Sequence, residues 1–385
     1  MSDIFFQSPI LNSPYEQPGR HWELDANGQP TSVIVSRRRQ SALVSPIPKA
    51  KKVRGKAEQA DFLSGEEGQE YNPTEVINGI RSAVESWRNL PESQWQVTPT
   101  TARLLRHWRT HPFANQRPFF CQVEAVETVI WLTEVAPRTS AQGRRFWTHL
   151  ESANAASNPE LMRMALKLAT GAGKTTVMAM MIAWQTLNAV RHPGAKRFSR
   201  GFLIVAPGIT IKDRLRVLQP NDPDSYYSNR EIVPEDMVAD LGRAKIVITN
   251  YHAFKKKDEL PLNKVQQAAL RTTPKPESDG AMIRRVAGEL MGMKNIVVMN
   301  DEAHHCYRER PLSAEEQKAL KGDELSEAKE ANEAARLWIA GIEAVKRELG
   351  VSMVYDLSAT PFFLRGSGYR EGSLFGWVMS DFSLM

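Results

Sequence analysis

The chain has 385 residues, a net charge of +6 at pH 7 and a sequence pI of about 9.2. Its 42% hydrophobic and 24% charged residues are typical of a soluble globular protein, and no apolar run reaches the ~18 to 20 residues that a membrane span needs. Its two cysteines, Cys121 and Cys306, exclude a disulfide framework and a four-cysteine zinc site, and they favour a cytoplasmic location.

Residues 1–70 are predicted to form a basic, poorly ordered N-terminal arm, because prolines are frequent and periodic apolar positions are few. Eight basic residues and no acidic one lie between Arg37 and Lys56. Such a run is typical both of an arm that contacts nucleic-acid phosphates and of a solvated linker, and the sequence leaves both interpretations open.

Residues 71–160 are predicted to form a small helical region. The sequence Asn-Pro-Thr-Glu at 72–75 indicates a helix start, since it combines a capping residue, a proline in the first turn and a glutamate. Apolar residues at helical spacing predict two further helices, at 100–108 and 122–134. The polar segment 137–160 is predicted to be a loop insertion.

The remaining part, residues 161–385, alternates short apolar runs with helical stretches. Strands rich in Val, Ile and Leu and separated by helices predict an α/β fold, with a parallel sheet flanked by helices on both faces. The predicted strands are 163–169, 202–206, 245–249, 295–300 and 352–357. The charged, Ala-rich segment 311–349 is predicted to be a helical insertion with a capping box at 313–316, solvated rather than docked to a partner.

A phosphate-binding loop is predicted directly after the first of these strands. Its glycines would let backbone N–H groups close around phosphate oxygens, and the following helix N-terminus adds positive potential. Lys174 would neutralise the β and γ phosphates and the Thr175 hydroxyl would ligate Mg²⁺, although Leu168 stands where the general pattern has glycine. The sequence therefore predicts ATP and Mg²⁺ as cofactors, with these binding residues: Thr170, Gly171, Ala172, Gly173, Lys174, Thr175 and Thr176.

An acidic pair closes the fourth predicted strand, in the sequence Asp-Glu-Ala-His at 301–304. The carboxyl end of a strand is where an α/β sheet binds its ligand. Asp301 would hold Mg²⁺ and Glu302 would orient or deprotonate the attacking water. A zinc-protease helix would need His-Glu-x-x-His, which the sequence lacks, and the adjacent His304 and His305 have poor geometry for one metal.

The order of Thr-Gly-Ala-Gly-Lys-Thr, Asp-Glu-Ala-His and Ser-Ala-Thr (358–360) resembles motifs I, II and III of superfamily 2 helicases and translocases. The resemblance implies a RecA-like P-loop domain. It also implies that Lys174, Asp301, Glu302 and His304 are catalytic. His304, with Ser358 and Thr360, would couple the nucleotide state to nucleic acid.

Three shorter stretches add to the resemblance. Ala206–Thr210 is similar to motif Ia, and Thr-Asn-Tyr at 249–251 is similar to a later nucleic-acid-contacting motif. These matches imply phosphate contacts from Pro207, Thr210, Thr249 and Asn250. The stretch 118–122 is similar to the glutamine motif that recognises adenine, which implies that role for Gln122, with simple solvent exposure as the alternative.

Taken together, residues 71–385 resemble the motor region of type III restriction endonuclease subunits. That resemblance implies double-stranded DNA as a partner through its phosphate backbone, a nuclease or methyltransferase subunit, and no membrane. The sequence stops after motif III, so the second lobe and the nuclease domain are expected to be absent and full hydrolysis is expected to need a second lobe. An RNA helicase lobe and a non-catalytic nucleotide-binding interaction subunit remain as alternatives.

Overall fold

The computed structural model of the chain describes residues 3–25, 29–41, 73–257, 276–308, 323–360, 375 and 378–381. The strands in these ranges are β1 (His21–Leu24), β2 (Pro30–Val35), β3 (Arg163–Lys167), β4 (Gly201–Ala206), β5 (Lys245–Asn250), β6 (Ile296–Asp301), β7 (Val351–Ser358) and β8 (Val378–Asp381). The helices are α1 (Asp3–Gln7), α2 (Pro73–Arg88), α3 (Pro99–Thr110), α4 (Phe120–Ile130), α5 (Ala136–Thr139), α6 (Ala141–Ser157), α7 (Lys174–Arg191), α8 (Ile209–Leu215), α9 (Tyr226–Asn229), α10 (Val238–Leu241), α11 (Asp279–Ala287) and α12 (Asp323–Leu349). Within these ranges, none of the helices has the length and apolar character needed to span a membrane.

Strands β3 to β8 form one sheet in the order β5-β4-β6-β7-β3-β8, and every neighbouring pair is parallel. Successive residues of β4 point to opposite faces, so that Phe202 and Ile204 join one core cluster while Leu203 and Val205 join the other. The sheet is therefore buried on both faces by helices. This confirms the predicted α/β, RecA-like fold, and the five predicted strands all occur with β8 added at the edge.

The helical region also contains the three predicted helices, as α2, α3 and α4. The prediction of a loop at 137–160 is wrong, because α5 and α6 occupy most of it. The Ser140 hydroxyl caps α6 by accepting the Gly143 N–H at 2.9 Å, and the absence of a side chain at Gly143 lets the Ala136 backbone approach closely. The buried Asn154 then joins α6 to β3 through two 2.9 Å hydrogen bonds with the backbone of Arg163.

Within the predicted N-terminal arm, the described residues 3–25 and 29–41 form a short helix and two strands. β1 and β2 form an antiparallel hairpin, and the buried Trp22 donates its indole N–H to the Pro9 carbonyl at 3.1 Å. Arg38 then forms a two-bond ion pair with the buried Glu124 of α4, at 2.5 and 2.7 Å. These tertiary contacts order a segment that local sequence could not. The basic residues from Lys49 to Lys56 lie outside the described residues.

Helix α12 covers one face of the sheet, so the interpretation of a solvated insertion is wrong for this helix. Trp338 is fully buried, and its ring stacks on Tyr251 with centroids 5.4 Å apart and planes 9° apart. At Gly341 a Cβ would overlap the ring of Phe254, so glycine permits this close packing. Residues 309–322, which include the predicted capping box, lie outside the described residues.

Candidate nucleotide and nucleic-acid site

The predicted functional residues gather at one edge of the sheet. Because β3 to β7 are parallel, their carboxyl ends meet at the same edge. The phosphate-binding loop follows β3, and Pro207 follows β4. The other predicted residues at strand ends are Thr249 and Asn250 at the end of β5, Asp301 at the end of β6 and Ser358 at the end of β7.

The loop between β3 and α7 has the backbone conformation of a phosphate cradle. Gly171 and Gly173 adopt positive φ angles of 82° and 79°, which glycine reaches without strain. Thr170 and Gly171 are exposed, whereas Ala172 is buried and donates its N–H to the Ala169 carbonyl at 3.1 Å. A helix of 18 residues begins immediately afterwards at Lys174, so its N-terminus is aimed at the loop.

Lys174 and the acidic pair are brought into direct contact. The Nζ atom of Lys174 lies 2.5 Å from Oε1 of Glu302. Glu302 has a left-handed backbone, with φ 48° and ψ 48°, a conformation that is uncommon for a residue with a side chain. Burial raises the pKa of Asp301, with Lys174 lowering it and the Glu302 charge raising it further. The site thus holds one cation against two neighbouring carboxyl groups.

A second contact joins motifs II and III. Nδ1 of His304 lies 3.0 Å from Oγ of Ser358, and the same Oγ accepts the N–H of Thr360 at 3.1 Å. Burial, reinforced by His305, lowers the pKa of His304 to about 4, so the imidazole is neutral at pH 7. The Ser358 carbonyl accepts the N–H of Leu168 at 2.9 Å. Ser358 therefore contacts both the strand that leads to the phosphate loop and the acidic motif.

The residues predicted to contact nucleic acid differ in burial and in the hydrogen bonds that their side chains already make. The side-chain oxygen Oδ1 of Asn250 caps the turn Tyr251–Phe254 by accepting the Ala253 N–H at 3.2 Å. Thr249 is half-buried and lines a cavity of about 670 Å³ that also has arginine side chains in its wall. Thr210 lies in α8, and its side chain is outside the described residues. These three residues share an edge of the sheet with Pro207, and the contacts of all four with nucleic acid stay predictions.

Gln122 is buried, which excludes simple solvent exposure. Its Oε1 accepts the N–H of Phe119 at 2.9 Å, and its Nε2 donates to the Ala172 carbonyl at 2.8 Å. A Cβ at Gly173 would overlap this amide, so the loop packs directly on Gln122. Gln122 therefore joins the start of α4 to the phosphate loop, and its recognition of adenine stays a prediction.

A buried polar network behind the acidic motif was missed by sequence reasoning. Arg163 and Asp356 are fully buried and form an ion pair at 2.8 Å. The other oxygen of Asp356 accepts from Asn300 at 2.7 Å, and Asn300 in turn accepts the Trp338 indole N–H at 3.0 Å. Two charged residues inside apolar strands were the signal in the sequence. The network joins the start of β3 to β6 and β7 one and two residues before their carboxyl ends.

Sequence reasoning also missed Arg230, which follows α9 and belongs to no predicted motif. Its Nη1 donates to the Oγ1 of Thr176 at 2.9 Å, and its guanidinium carbon lies 3.7 Å from the centroid of the Tyr226 ring. Together with Gln122 and Thr176, Arg230 lines a narrow cleft beside the phosphate loop. Nothing in its local sequence distinguishes it from a surface arginine.

Comparison with known families gives one result. A family model described as the type III restriction enzyme, res subunit, matches residues 117–363, which is more than half of the chain. The comparison with curated proteins gives no match, and neither does the comparison with solved structures. The matched span runs from before Gln122 to beyond Thr360, so it contains all the predicted site residues.

Proposed function

The chain belongs to the family of type III restriction enzyme res subunits, which carries a helicase-like ATPase motor, and we propose that it is the ATP-binding lobe of a DNA-dependent translocase in a restriction enzyme. The observation that carries the proposal is the direct contact between Lys174 of the phosphate loop and Glu302 of the acidic pair. These two groups lie where an ATPase needs a phosphate-binding cation beside a water-activating carboxylate.

ATP and Mg²⁺ fit the residues at this edge. Gly171 and Gly173 leave space in the loop for phosphate oxygens. Among the described residues, no atom outside Gly171 and its two chain neighbours lies within 4 Å of the point where a Cβ of Gly171 would be. Mg²⁺ is commonly held by one or two carboxylates together with substrate phosphates, and Asp301 and the Thr175 hydroxyl would supply the protein ligands. The bound ion would neutralise charge on the β and γ phosphates. Among the residues described, no cluster of three or more His, Cys, Asp or Glu offers a competing metal site.

In the proposed hydrolysis of ATP, the charged side chains of the phosphate loop and of the acidic pair would act on the phosphates and on the attacking water. Lys174 would leave Glu302 for the phosphates, because a multiply charged anion attracts the ammonium more strongly than one carboxylate does. Glu302, once released, would orient the attacking water and accept its proton. The neutral His304 lies next to both Glu302 and Ser358. A movement of Glu302 would therefore change the position of His304 and, through it, of Ser358 and Thr360.

DNA would be held mainly through its phosphates, as a motor that moves along any sequence requires. Pro207, Thr210, Thr249 and Asn250 are the proposed contacts at the sheet edge. The proposal includes a second RecA-like lobe that supplies arginine side chains, since such an arginine is worth ~10³ to 10⁵ in rate. It also includes a nuclease or methyltransferase subunit as partner and action in the cytoplasm.

The test is ATP hydrolysis by the purified chain with and without duplex DNA, beside its Lys174→Ala and Glu302→Gln variants. Arg191→Lys, an ion-paired position at the far end of α7, is the matched control. ATP binding that Lys174→Ala removes, together with only slow turnover that Glu302→Gln lowers further, supports the proposal. Fast DNA-stimulated turnover by this chain would contradict the need for a second lobe. Stimulation by duplex RNA exceeding that by DNA would replace it with an RNA helicase lobe. Absence of ATP binding in the wild-type chain would overturn the proposal. ATP binding that neither DNA nor RNA affects would favour a non-catalytic nucleotide-binding subunit.

A further inference from the structure

Arg230 is held in a fixed position beside the phosphate loop. Its guanidinium stacks on the Tyr226 ring at 3.7 Å and donates to the Thr176 hydroxyl at 2.9 Å. Thr176 lies in the first turn of α7, two residues after Lys174. A long arginine side chain that is fixed at both its flat face and its edge loses little further entropy when it binds a ligand.

The backbone around Arg230 is anchored from α3 and the residues after it. Glu231 has a positive φ of 49°, and its carbonyl is 2.7 Å from Nε2 of His107. The Glu231 carboxylate accepts the Ala114 N–H at 2.8 Å, and the Ile232 carbonyl accepts the Trp108 indole N–H at 2.7 Å. Three contacts therefore hold the residues immediately after Arg230. A conformation that is rare for a side-chain-bearing residue is kept here by its surroundings, as is common at ligand sites.

The cleft that Arg230 lines also contains Gln122, and it leaves no room for a water-sized molecule, so a base would stack at its rim rather than inside it. Pro118 and Ile232 form its apolar wall, and Thr176 forms the side nearest the phosphate loop. Two of the polar functions of Gln122 are already used, since Oε1 accepts from Phe119 and Nε2 donates to Ala172. One amide hydrogen and one lone pair of Oε1 are left for the edge of a ligand, and such edge contacts do not hold the flat face of a base.

We propose that Arg230, supported by Tyr226, is the platform on which the nucleobase of ATP stacks. A guanidinium is planar and weakly hydrated, and it stacks on aromatic faces, which matches a purine. Tyr226 packs against one face of the guanidinium, so a base would stack on the opposite face. The inference rests on the proposed function, because it assigns a part of the nucleotide to the rim of this cleft.

The test compares a ligand that has a base with one that has only phosphates. Binding of ATP and of inorganic tripolyphosphate is measured by competition against a fluorescent ATP analogue. The variants are Arg230→Ala, Arg230→Lys, Tyr226→Leu and Tyr226→Phe, with Arg191→Lys as the matched control. Arg230→Lys keeps the charge and removes the planar face, so it separates stacking from electrostatics.

The expected result is that Arg230→Ala and Arg230→Lys each weaken ATP binding by about three- to thirty-fold, the range of a stacking contact, and leave tripolyphosphate binding within about twofold. Tyr226→Leu should weaken ATP binding less than Arg230→Ala does, and Tyr226→Phe should match the wild type. Equal weakening of both ligands by Arg230→Ala, with Arg230→Lys unaffected, would make Arg230 a phosphate contact and overturn the proposal. Unchanged ATP binding in both Arg230 variants would also overturn it.

The same measurement separates this inference from the proposed function. If Lys174→Ala abolishes ATP binding while the Arg230 variants do not change it, the nucleotide site stands and the base platform is wrong. If the wild-type chain binds neither ligand, the proposed function is wrong and the platform with it. Circular dichroism of each variant confirms that it is folded before its affinity is compared.

Discussion

The ammonium group of Lys174 lies 2.5 Å from a carboxylate oxygen of Glu302, although the two residues are 128 positions apart in the chain. Lys174 opens α7 and Glu302 follows β6, so the contact crosses the carboxyl edge of the sheet. The two groups proposed to act on the phosphate and on the water thus neutralise each other. In the proposed mechanism, phosphate binding and release of the general base would therefore be a single exchange of partners at Lys174.

Glu302→Gln should keep ATP binding and remove hydrolysis. The amide lacks the charge that Lys174 contacts and cannot accept the proton of water, so the slow turnover of this chain should fall by about 10²-fold or more. Lys174→Ala should instead remove binding itself. Phosphate release and titration with a fluorescent ATP analogue measure the two effects, with the exposed Glu289→Gln as control. Wild-type turnover in Glu302→Gln would contradict the assignment of the general base.

The buried pair of Arg163 and Asp356 should contribute to stability only as a pair. Arg163→Met leaves the Asp356 carboxylate buried with Asn300 as its remaining partner from this network, which should cost about 3 to 5 kcal/mol in the free energy of unfolding. Arg163→Met combined with Asp356→Leu should recover most of that loss, because the uncompensated charge is gone. Urea unfolding measures both variants.

The exposed pair of Arg103 and Asp236 provides the control for that prediction. Its side chains are 42% and 55% exposed, so solvent already screens the charges. Arg103→Met should therefore change the midpoint of unfolding little. A double variant no more stable than Arg163→Met alone would show that the buried arginine acts through its other contacts, such as the Cys306 carbonyl at 2.7 Å and Oδ1 of Asn158 at 3.2 Å, rather than through Asp356.

The neutral His304 should make the fold sensitive to acid. Its pKa is lowered to about 4, mainly by burial, while in the unfolded chain an imidazole binds a proton below a pH of about 6.5. The unfolded state therefore takes up more protons as the pH falls from about 6.5 toward 4, and stability is lost in that window. Above pH 6.5 the contribution is fully present.

His304→Gln should lose about 1 to 3 kcal/mol less stability than the wild type between pH 7 and pH 4.5, because it has no proton to take up. His107, His149 and His305 also have lowered pKa values from burial, so the variant should keep part of the acid sensitivity. Urea unfolding in EDTA without nucleotide is the measurement, with the exposed His252→Gln as control. Equal pH dependence in wild type and His304→Gln would contradict this account.

The sheet and its motifs were predictable because their signals are local. Near-continuous apolar runs located the five central strands to within two residues at each end, and glycine spacing located the phosphate loop. The segment 137–160 was missed because α6 depends on tertiary contacts, such as those of Asn154 with the backbone of β3. The hairpin of β1 and β2 was not predicted for the same reason, because Arg38 and Trp22 are held by residues distant in the sequence.

Contacts between residues that are distant in the chain could not be predicted from the sequence. Arg163 and Asp356 are 193 positions apart, and each taken alone resembles a misplaced charge in a strand. Arg230 contacts Thr176 across 54 positions and carries no motif. The roles of the individual site residues stay predictions, whereas their common location at one sheet edge is a structural fact.

Helix α12 packs against the turn that follows β5. A Cβ at Gly341 would overlap the ring of Phe254, which is itself buried, so Gly341→Ala should destabilise the fold by about 1 to 3 kcal/mol. Gly288→Ala is the matched control, because nothing lies within 4 Å of the Cβ position there. Combining Gly341→Ala with Phe254→Leu should restore part of the lost stability, since the smaller side chain makes room. Because Phe254 closes the turn that Asn250 caps, the single variant should also weaken DNA binding more than the control does. Gly341→Ala as stable as the wild type would mean that α12 can shift away from this turn, and that the turn is not fixed by it.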